Sequence, residues 1–180
     1  SSRALECLHT ETPKVLENVH TQIIGSVRQL CVAAAAQCER LGYETVFLTD
    51  QLCCEAREAG SFLASVARSH AGGRRLAFLA GGETVVHLTG SGMGGRNQEL
   101  ALAAAEILDG IPNAALISVG SDGTDGPTDA AGGYVDWQTE NVLKEQGISV
   151  HEVLANNDAY NALLCCDGLI VTGPTGTNVN

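Results

Sequence analysis

From Ser26 onward the apolar positions Val27, Leu30, Cys31, Ala34, Cys38 and Leu41 recur at the helical period. Gly42 follows, where a helix end favours a residue free to take positive φ. YETVFL (43–48) is β-prone, and a second helix is expected from about Glu55 to His70, with Ala59, Phe62, Leu63, Val66 and Ala67 inward and Gly72-Gly73 ending it. LAFLA (76–80) and TVVHLTG (84–90) flank Gly81-Gly82-Glu83, and two apolar runs about a Gly-Gly turn predict an antiparallel hairpin. GSGMGGRNQE (90–99) then enters a helix whose Leu100, Ala103, Ala104, Ile107 and Leu108 share a face. ALISVG (115–120) reads as a buried strand that ends in the turn-rich SDGTDGPTDAAGG (121–133). A strand at YVD, a helix over about 137–146, a short helix around 158–165 and a strand at GLIV (168–171) lead to the tail TGPTGTNVN. Residues 1–22 form an entry segment with Pro13 as a breaker, followed by the apolar stub Ile23-Ile24.

Strands alternate with helices and one hairpin interrupts them. That predicts an α/β fold: three layers, α/β/α, around a mixed, mostly parallel sheet that includes the hairpin. Residues 1–75 are expected to pack in the same α/β domain as residues 76–180, which hold the glycine-rich loops.

The length of 180 residues suits one domain, and 44% hydrophobic with 17% charged residues is a globular composition. A net charge of −11 argues against nucleic acid and against anionic membrane surfaces as partners. The apolar runs are too short to span a bilayer and no secretory signal stands at the start, so an intracellular place, cytoplasmic or mitochondrial, is expected. Seven cysteines, two pairs of them adjacent and none in a CxxC, fit a reducing compartment better than a disulfide framework or a zinc site. Cys31 and Cys38 read as small core residues.

Charge changes the picture most when it is located. Residues 1–75 hold eight basic and eight acidic residues; residues 76–180 hold thirteen acidic residues and two basic ones, Arg96 and Lys144. Sixteen of the 21 glycines also fall in the second stretch.

Three glycine-rich loops follow strands, where ligands gather in α/β folds. In the first, Gly92, Gly94 and Gly95 let backbone N–H groups approach an anion, a helix start adds donors, and Arg96 adds a planar fork for phosphate or carboxylate. Gly90-x-Gly92-x-x-Gly95 also satisfies the dinucleotide fingerprint, though the strand before it is expected in a hairpin and not in a βαβ unit. No Gly-Lys-Ser/Thr occurs, which excludes a P-loop. In the second loop, Asp122, Asp125 and Asp129 lack EF-hand spacing but suit Mg²⁺ held through water, or a hydroxyl that gives up its proton; equally they suit turns and caps. In the third, TGPTGTN, hydroxyls and Asn178 would line a polar pocket, or simply make a turn. Glu83 is a further candidate. The five histidines show no metal-ligand spacing, and no GxSxG is present.

GGETVVHLTGSGMGGRNQELALAAAEIL, SDGTDGPTDAAGGYVD and LIVTGPTGTNVN, in this order, resemble the C-terminal MOFRL domain of the type II glycerate kinases, and TPKVLENVHTQIIGSVRQL, LGYETVFLTD and EARE resemble the region before it. The resemblance implies ATP- and Mg²⁺-dependent phosphorylation of D-glycerate in serine and fructose breakdown, at a cleft between two domains. Members of that family are longer, so this chain is expected to be a fragment or short isoform with little activity alone, and a homo-oligomer is conceivable. By motif position, Arg96, Asp122 and Asp125 fall at catalytic positions, with Asp122 and Asp125 as metal candidates. Glu83, Gly92, Gly94, Gly95, Arg96, Asn97, Thr175 and Asn178 fall at substrate- or phosphate-binding positions. Three residues depart from the family pattern: Met93 stands where Arg is frequent, Ala80 where Ser is, and Val27 where Asn is. The catalytic lysine and much of the nucleotide site would lie in the N-terminal part of the whole enzyme. Two rivals are a nicotinamide-dependent hydroxypyruvate reductase and a non-catalytic interaction or oligomerisation domain.

Overall fold

The structure, a computed structural model, describes residues 18–20 and 25–179; Pro13, the stub Ile23-Ile24 and Asn180 lie outside the described residues. Helix α1 (Val27–Arg40) starts where Ser26 is extended and its hydroxyl accepts the Gln29 N–H at 3.3 Å. Gly42, at φ +82°, turns the chain into strand β1 (Glu44–Leu52). Helix α2 (Ala56–Ser69) follows, then strand β2 (Leu76–Gly82). β2 runs parallel to β1, with Glu44 opposite Leu76 and Leu52 opposite Gly82.

The hairpin expected across residues 76–90 does not form. Gly82, at φ +148°, lies against Leu52, where a Cβ would come within 2.3 Å of the Leu52 N and O. The Glu83 N–H donates to the Leu52 carbonyl at 2.8 Å, so the chain continues along β1 instead of reversing. Residues 84–90 form no strand; Val85 alone makes a parallel bridge to Glu55. The partner of the first apolar run is thus a non-local strand, which a local turn signal does not reveal.

Helix α3 (Arg96–Leu108) leads to strand β3 (Ala115–Val119), which pairs antiparallel with β4 (Gly132–Asp136). Three short helices, α4 (Thr139–Glu145), α5 (Val150–Ala155) and α6 (Ala159–Cys165), precede β5 (Leu169–Ile170), which pairs antiparallel with β4. The fold is therefore α/β with mixed pairing, as expected, but not one mostly parallel sheet: the described residues form one parallel ladder and two antiparallel ones in two sheets, because β4 returns on β3 and β5 on β4 without a crossover to a parallel neighbour.

α3 is the axis of this arrangement. The sequence predicts one apolar face, yet Gln98 to Ala105 are all buried. α2 packs on one side so closely that a Cβ on Gly60 would lie 2.0 Å from the Leu100 carbonyl oxygen. β4, α5 and α6 pack on the others. Leu102, Leu108, Val135, Leu143 and Leu163 are fully buried around it, each worth about 2 kcal/mol in apolar burial. Helix α5 has no counterpart in the sequence reading. At six residues it is too short to show a period, although Ser149, which accepts the Glu152 N–H, marks its start.

Candidate active site

A helix start leaves N–H groups without intrahelical partners, and α3 begins at Gly95, which has no side chain to cap them. Asp125 supplies the cap from the β3–β4 connection. Its Oδ1 accepts from the Asn97 backbone N–H and from Asn97 Nδ2, both at 3.1 Å, and its Oδ2 accepts the Gln98 N–H at 2.8 Å. Gly95 permits this contact, because a Cβ there would sit 2.4 Å from the Asp125 Cγ. Asp125 is 3% exposed. Burial pushes its carboxyl above the usual range, while the N–H groups of Asn97 and Gln98 and the charge of Arg96 pull it back in part. The anion expected at this helix start is thus the chain's own carboxylate.

The preceding loop is likewise held from within. Thr89 and Gly90 donate their N–H groups to Asn157 Oδ1 at 2.7 and 2.9 Å. Ser91 donates to Asn156 Oδ1 at 3.2 Å, Gly92 to the Asn156 carbonyl at 2.8 Å, and Met93 to Asp158 Oδ1 at 2.8 Å. A Cβ on Gly92 would strike Asp158. The glycines let the loop nest on residues 156–158, which takes the Gly92 N–H out of reach of a ligand. Among the described residues, the N–H groups of Gly94, Gly95 and Arg96 have no partner.

Arg96 projects from the first turn of α3 and pairs through Nη1 with the Glu83 carboxylate; Nη1 also lies 3.5 Å from the Thr84 carbonyl oxygen. Arg96 is 41% and Glu83 47% exposed, so this is a surface ion pair that an incoming anion can rearrange at small cost. Beside it a groove of about 320 Å³ opens at the ends of β1 and β2, with Asp50, Cys53, Gly82 and Glu83 in its lining. A second cavity, of about 440 Å³, is lined by Glu106, Glu140 and Lys144 and includes none of these loops.

The second loop joins the tail. The Thr175 N–H donates to the Asp122 carbonyl at 3.0 Å. The hydroxyls of Thr175 and Thr177 donate to the Ser121 carbonyl, and the Val179 N–H donates to Ser121 Oγ. Gly123, at φ +84°, comes so close to the Gly173 carbonyl that a Cβ would lie 2.0 Å from it. Asp122 Oδ1 accepts only the Thr124 N–H among the described residues, at 3.1 Å. Asp129 accepts the Tyr160 hydroxyl at 2.8 Å. Asn178 is exposed, and its side chain makes no hydrogen bond to the described residues.

The structure therefore gathers Glu83, Gly94, Gly95, Arg96, Asn97 and Asp125 at one helix start, and joins Asp122 to Thr175 beside it. Sequence reasoning missed Asn156, Asn157 and Asp158, which hold the first loop. Their signal was an Asn-Asn-Asp run after a short helix, where Asn tolerates the left-handed region; Asn157 is at φ +55°. The dinucleotide fingerprint lacks its context, since no strand leads into Gly90. No three His, Cys, Asp or Glu side chains converge as a metal-ligand set among the described residues. No helix of the described residues is long and apolar enough to cross a membrane.

Residues 76–180 match the model of the MOFRL family. The chain is 51% identical over 175 residues to a D-glycerate 2-kinase of Thermotoga maritima, covering 94% of this chain and 42% of that protein. It is 43% identical over 171 residues to a glycerate 2-kinase of Pyrococcus horikoshii, covering 92% and 39%. A crystal structure of a glycerate kinase from Thermotoga maritima matches at a TM-score of 0.89 and 48% identity, over 100% of this chain and 45% of that one. The chain spans about two fifths of the length of these curated relatives. Its glycine-rich loops, gathered about the start of α3, fall within the matched residues: the chain belongs to the MOFRL family.

Proposed function

We propose that this chain is the C-terminal part of a glycerate kinase, which transfers the γ-phosphoryl group of ATP to D-glycerate and yields a phosphoglycerate. The names of two relatives point to the 2-hydroxyl as acceptor. The observation that carries this reading is Arg96, set where the loops meet and balanced by an exposed Glu83. Phosphoryl transfer asks for positioning and charge neutralisation more than for covalent chemistry. The bond from phosphorus to the β-phosphate oxygen breaks, the bond to the glycerate oxygen forms, and the hydroxyl proton leaves to a base.

Arg96 exchanges Glu83 for a carboxylate or phosphate of the substrates, and the N–H groups of Gly94 and Gly95 face the same anion. Thr175 and Asn178 belong to the polar rim. Asp125 does not fit a metal, because its oxygens already accept three hydrogen bonds. Asp122 fits better, since Mg²⁺ is commonly held by one or two carboxylates together with substrate phosphates. Bound there, Mg²⁺ would neutralise charge on the phosphate oxygens. The remaining part of the whole enzyme supplies the lysine and much of the nucleotide site, and the reaction belongs to serine and fructose breakdown in the cytosol or the mitochondrion.

Steady-state assays test this directly. The whole enzyme forms ADP from ATP and D-glycerate, and this chain alone shows little or no such activity. Arg96→Ala in the whole enzyme lowers kcat/KM about 100-fold; a loss below about threefold removes Arg96 from its central role. Oxidation of NADH by hydroxypyruvate, without ADP formation from glycerate, would replace the kinase with the reductase. The exposed Ile117, Val119 and Tyr134 on β3 and β4 favour a second reading for the chain by itself, association through that face, which sedimentation measures.

A further inference from the structure

Glu99 is 1% exposed, one turn below the start of α3, yet the proposed chemistry does not use it. Its Oε1 accepts from Asn157 Nδ2 at 2.7 Å, and its Oε2 has no hydrogen-bond partner among the described residues. Asn157 is 3% exposed and its amide is fully employed. Oδ1 accepts the N–H groups of Thr89 and Gly90, while the Thr89 hydroxyl donates to the Ala155 carbonyl at 2.9 Å; Nδ2 donates to Glu99 and, at 3.2 Å, to the His87 carbonyl. A flipped amide would turn Nδ2 toward two N–H donors and Oδ1 toward the oxygens of Glu99 and His87, so both ends favour one orientation. An ionised Glu99 can only accept, and it therefore reinforces the orientation that receives residues 89–90.

The groups that face Glu99 come from several elements. Arg57, on α2, attracts its charge, while Glu55, ahead of α2, and Asp125, in the β3–β4 connection, repel it. Glu55 itself contacts Arg57 Nε at 2.7 Å and His87 Nδ1 at 3.3 Å. Burial pushes the Glu99 carboxyl above the usual range, with Asn157 and Arg57 opposing.

We propose that Glu99 and Asn157 are a pair of positioning residues: Glu99 orients the Asn157 amide, and that amide fixes residues 87–90 and hence the course of the glycine loop into Arg96. The kinetic consequence rests on the phosphoryl-transfer reading, whereas the geometric one does not.

Asn157→Asp tests the pair, since it faces Glu99 with a second carboxylate and removes the donor. By hydrogen exchange of this chain, protection of the Thr89 and Gly90 amides falls about tenfold or more at neutral pH and recovers under mildly acidic conditions, where the two carboxyls share a proton. Adding Glu99→Gln to Asn157→Asp restores protection at neutral pH, because amide and carboxylate have changed places. Glu99→Gln keeps an acceptor for Asn157 and keeps protection, whereas Glu99→Leu removes the acceptor and lowers it; this contrast reads the pair even if Asn157→Asp fails to fold, and equal protection in the two overturns the proposal. Unchanged protection in Asn157→Asp overturns the proposal, and so does a double variant no better than the single one.

In the whole enzyme Asn157→Asp lowers kcat/KM for D-glycerate about tenfold, and Glu99→Gln on that background recovers most of the loss. Exchange that follows the pair while kcat/KM does not overturns the kinetic part alone. An unsubstituted enzyme that never phosphorylates glycerate overturns the kinase reading and leaves the exchange result standing.

Discussion

Residues 89–95 and residues 120–126 are both glycine-rich and both lie at the site, but they are held by opposite means. The first segment gives its N–H groups to side chains and a carbonyl of residues 156–158. The second receives hydroxyls and N–H groups of the tail on its own carbonyls and on the Ser121 hydroxyl. In the first, the N–H groups of residues 89–93 are spent, so Gly90 and Gly92 serve close packing, and only those of Gly94 and Gly95 are left for a ligand. In the second, the backbone is tied down while the Asp122 carboxylate stays largely free. Glycine content alone therefore does not mark an anion site; what the N–H groups already bind does. Asp125 crosses between the two, since it lies in the second segment by sequence but completes the helix that follows the first.

The sharpest way to break that comparison is Gly95→Ala. A methyl group there has no room beside Asp125, and backbone or cap must give way. The expected cost is about 3 kcal/mol or more, read by urea denaturation. Gly176→Ala is the control: it meets open space and pays only for its φ of +72°, about 1 kcal/mol. Equal costs would remove the close approach from the argument. Asp125→Ala comes next. It leaves the half-buried Asn97 and the buried Gln98 N–H groups without an acceptor and costs about 2 kcal/mol, with α3 fraying first in hydrogen exchange.

Much of this was legible beforehand. The periods of α1, α2 and α3 stand out because each runs three turns or more with a glycine or a polar break at its end. Arg96, Glu83 and Asp125 could be singled out because a lone cation and carboxylates in glycine loops are unusual local chemistry. The hairpin was misread because Gly81-Gly82 is a turn signal only when the chain reverses; here β1, which is remote in sequence, claims β2 first. The double role of Asp125 was not legible, since a cap that comes from 27 or 28 residues away leaves no local pattern. Asn157 had only the Asn-Asn-Asp run as a local sign, and that does not show what it binds: its partners are His87, Thr89, Gly90 and Glu99, all far off along the chain.

The buried carboxyls give a smaller effect with a definite sign. Glu99 is held above its unfolded range, so the native state binds its proton more tightly than the unfolded chain does. Its contribution is therefore largest below the ordinary carboxylate range and is lost as pH rises through the raised value. Glu99→Gln does not titrate, so the variant gains stability relative to the unsubstituted chain as pH rises over that window. Urea midpoints taken across it measure the gain, and a difference that stays constant or shrinks with rising pH contradicts the assignment.

The smallest expected change in stability is at Asp122. Its Oδ1 accepts one exposed N–H, that of Thr124, and its link to the tail runs through its backbone carbonyl, which a substitution leaves in place. Asp122→Ala should then shift unfolding by about 0.5 kcal/mol or less, against about 2 kcal/mol for Asp125→Ala three residues away. In the whole enzyme the order reverses for metal dependence: Asp122→Ala raises the Mg²⁺ concentration needed for half-maximal activity, while Asp125→Asn, which keeps an acceptor for the helix, changes it little. If Asp122→Ala is as destabilising as Asp125→Ala and leaves the Mg²⁺ requirement untouched, both carboxylates are scaffold, and the second loop is as spent as the first.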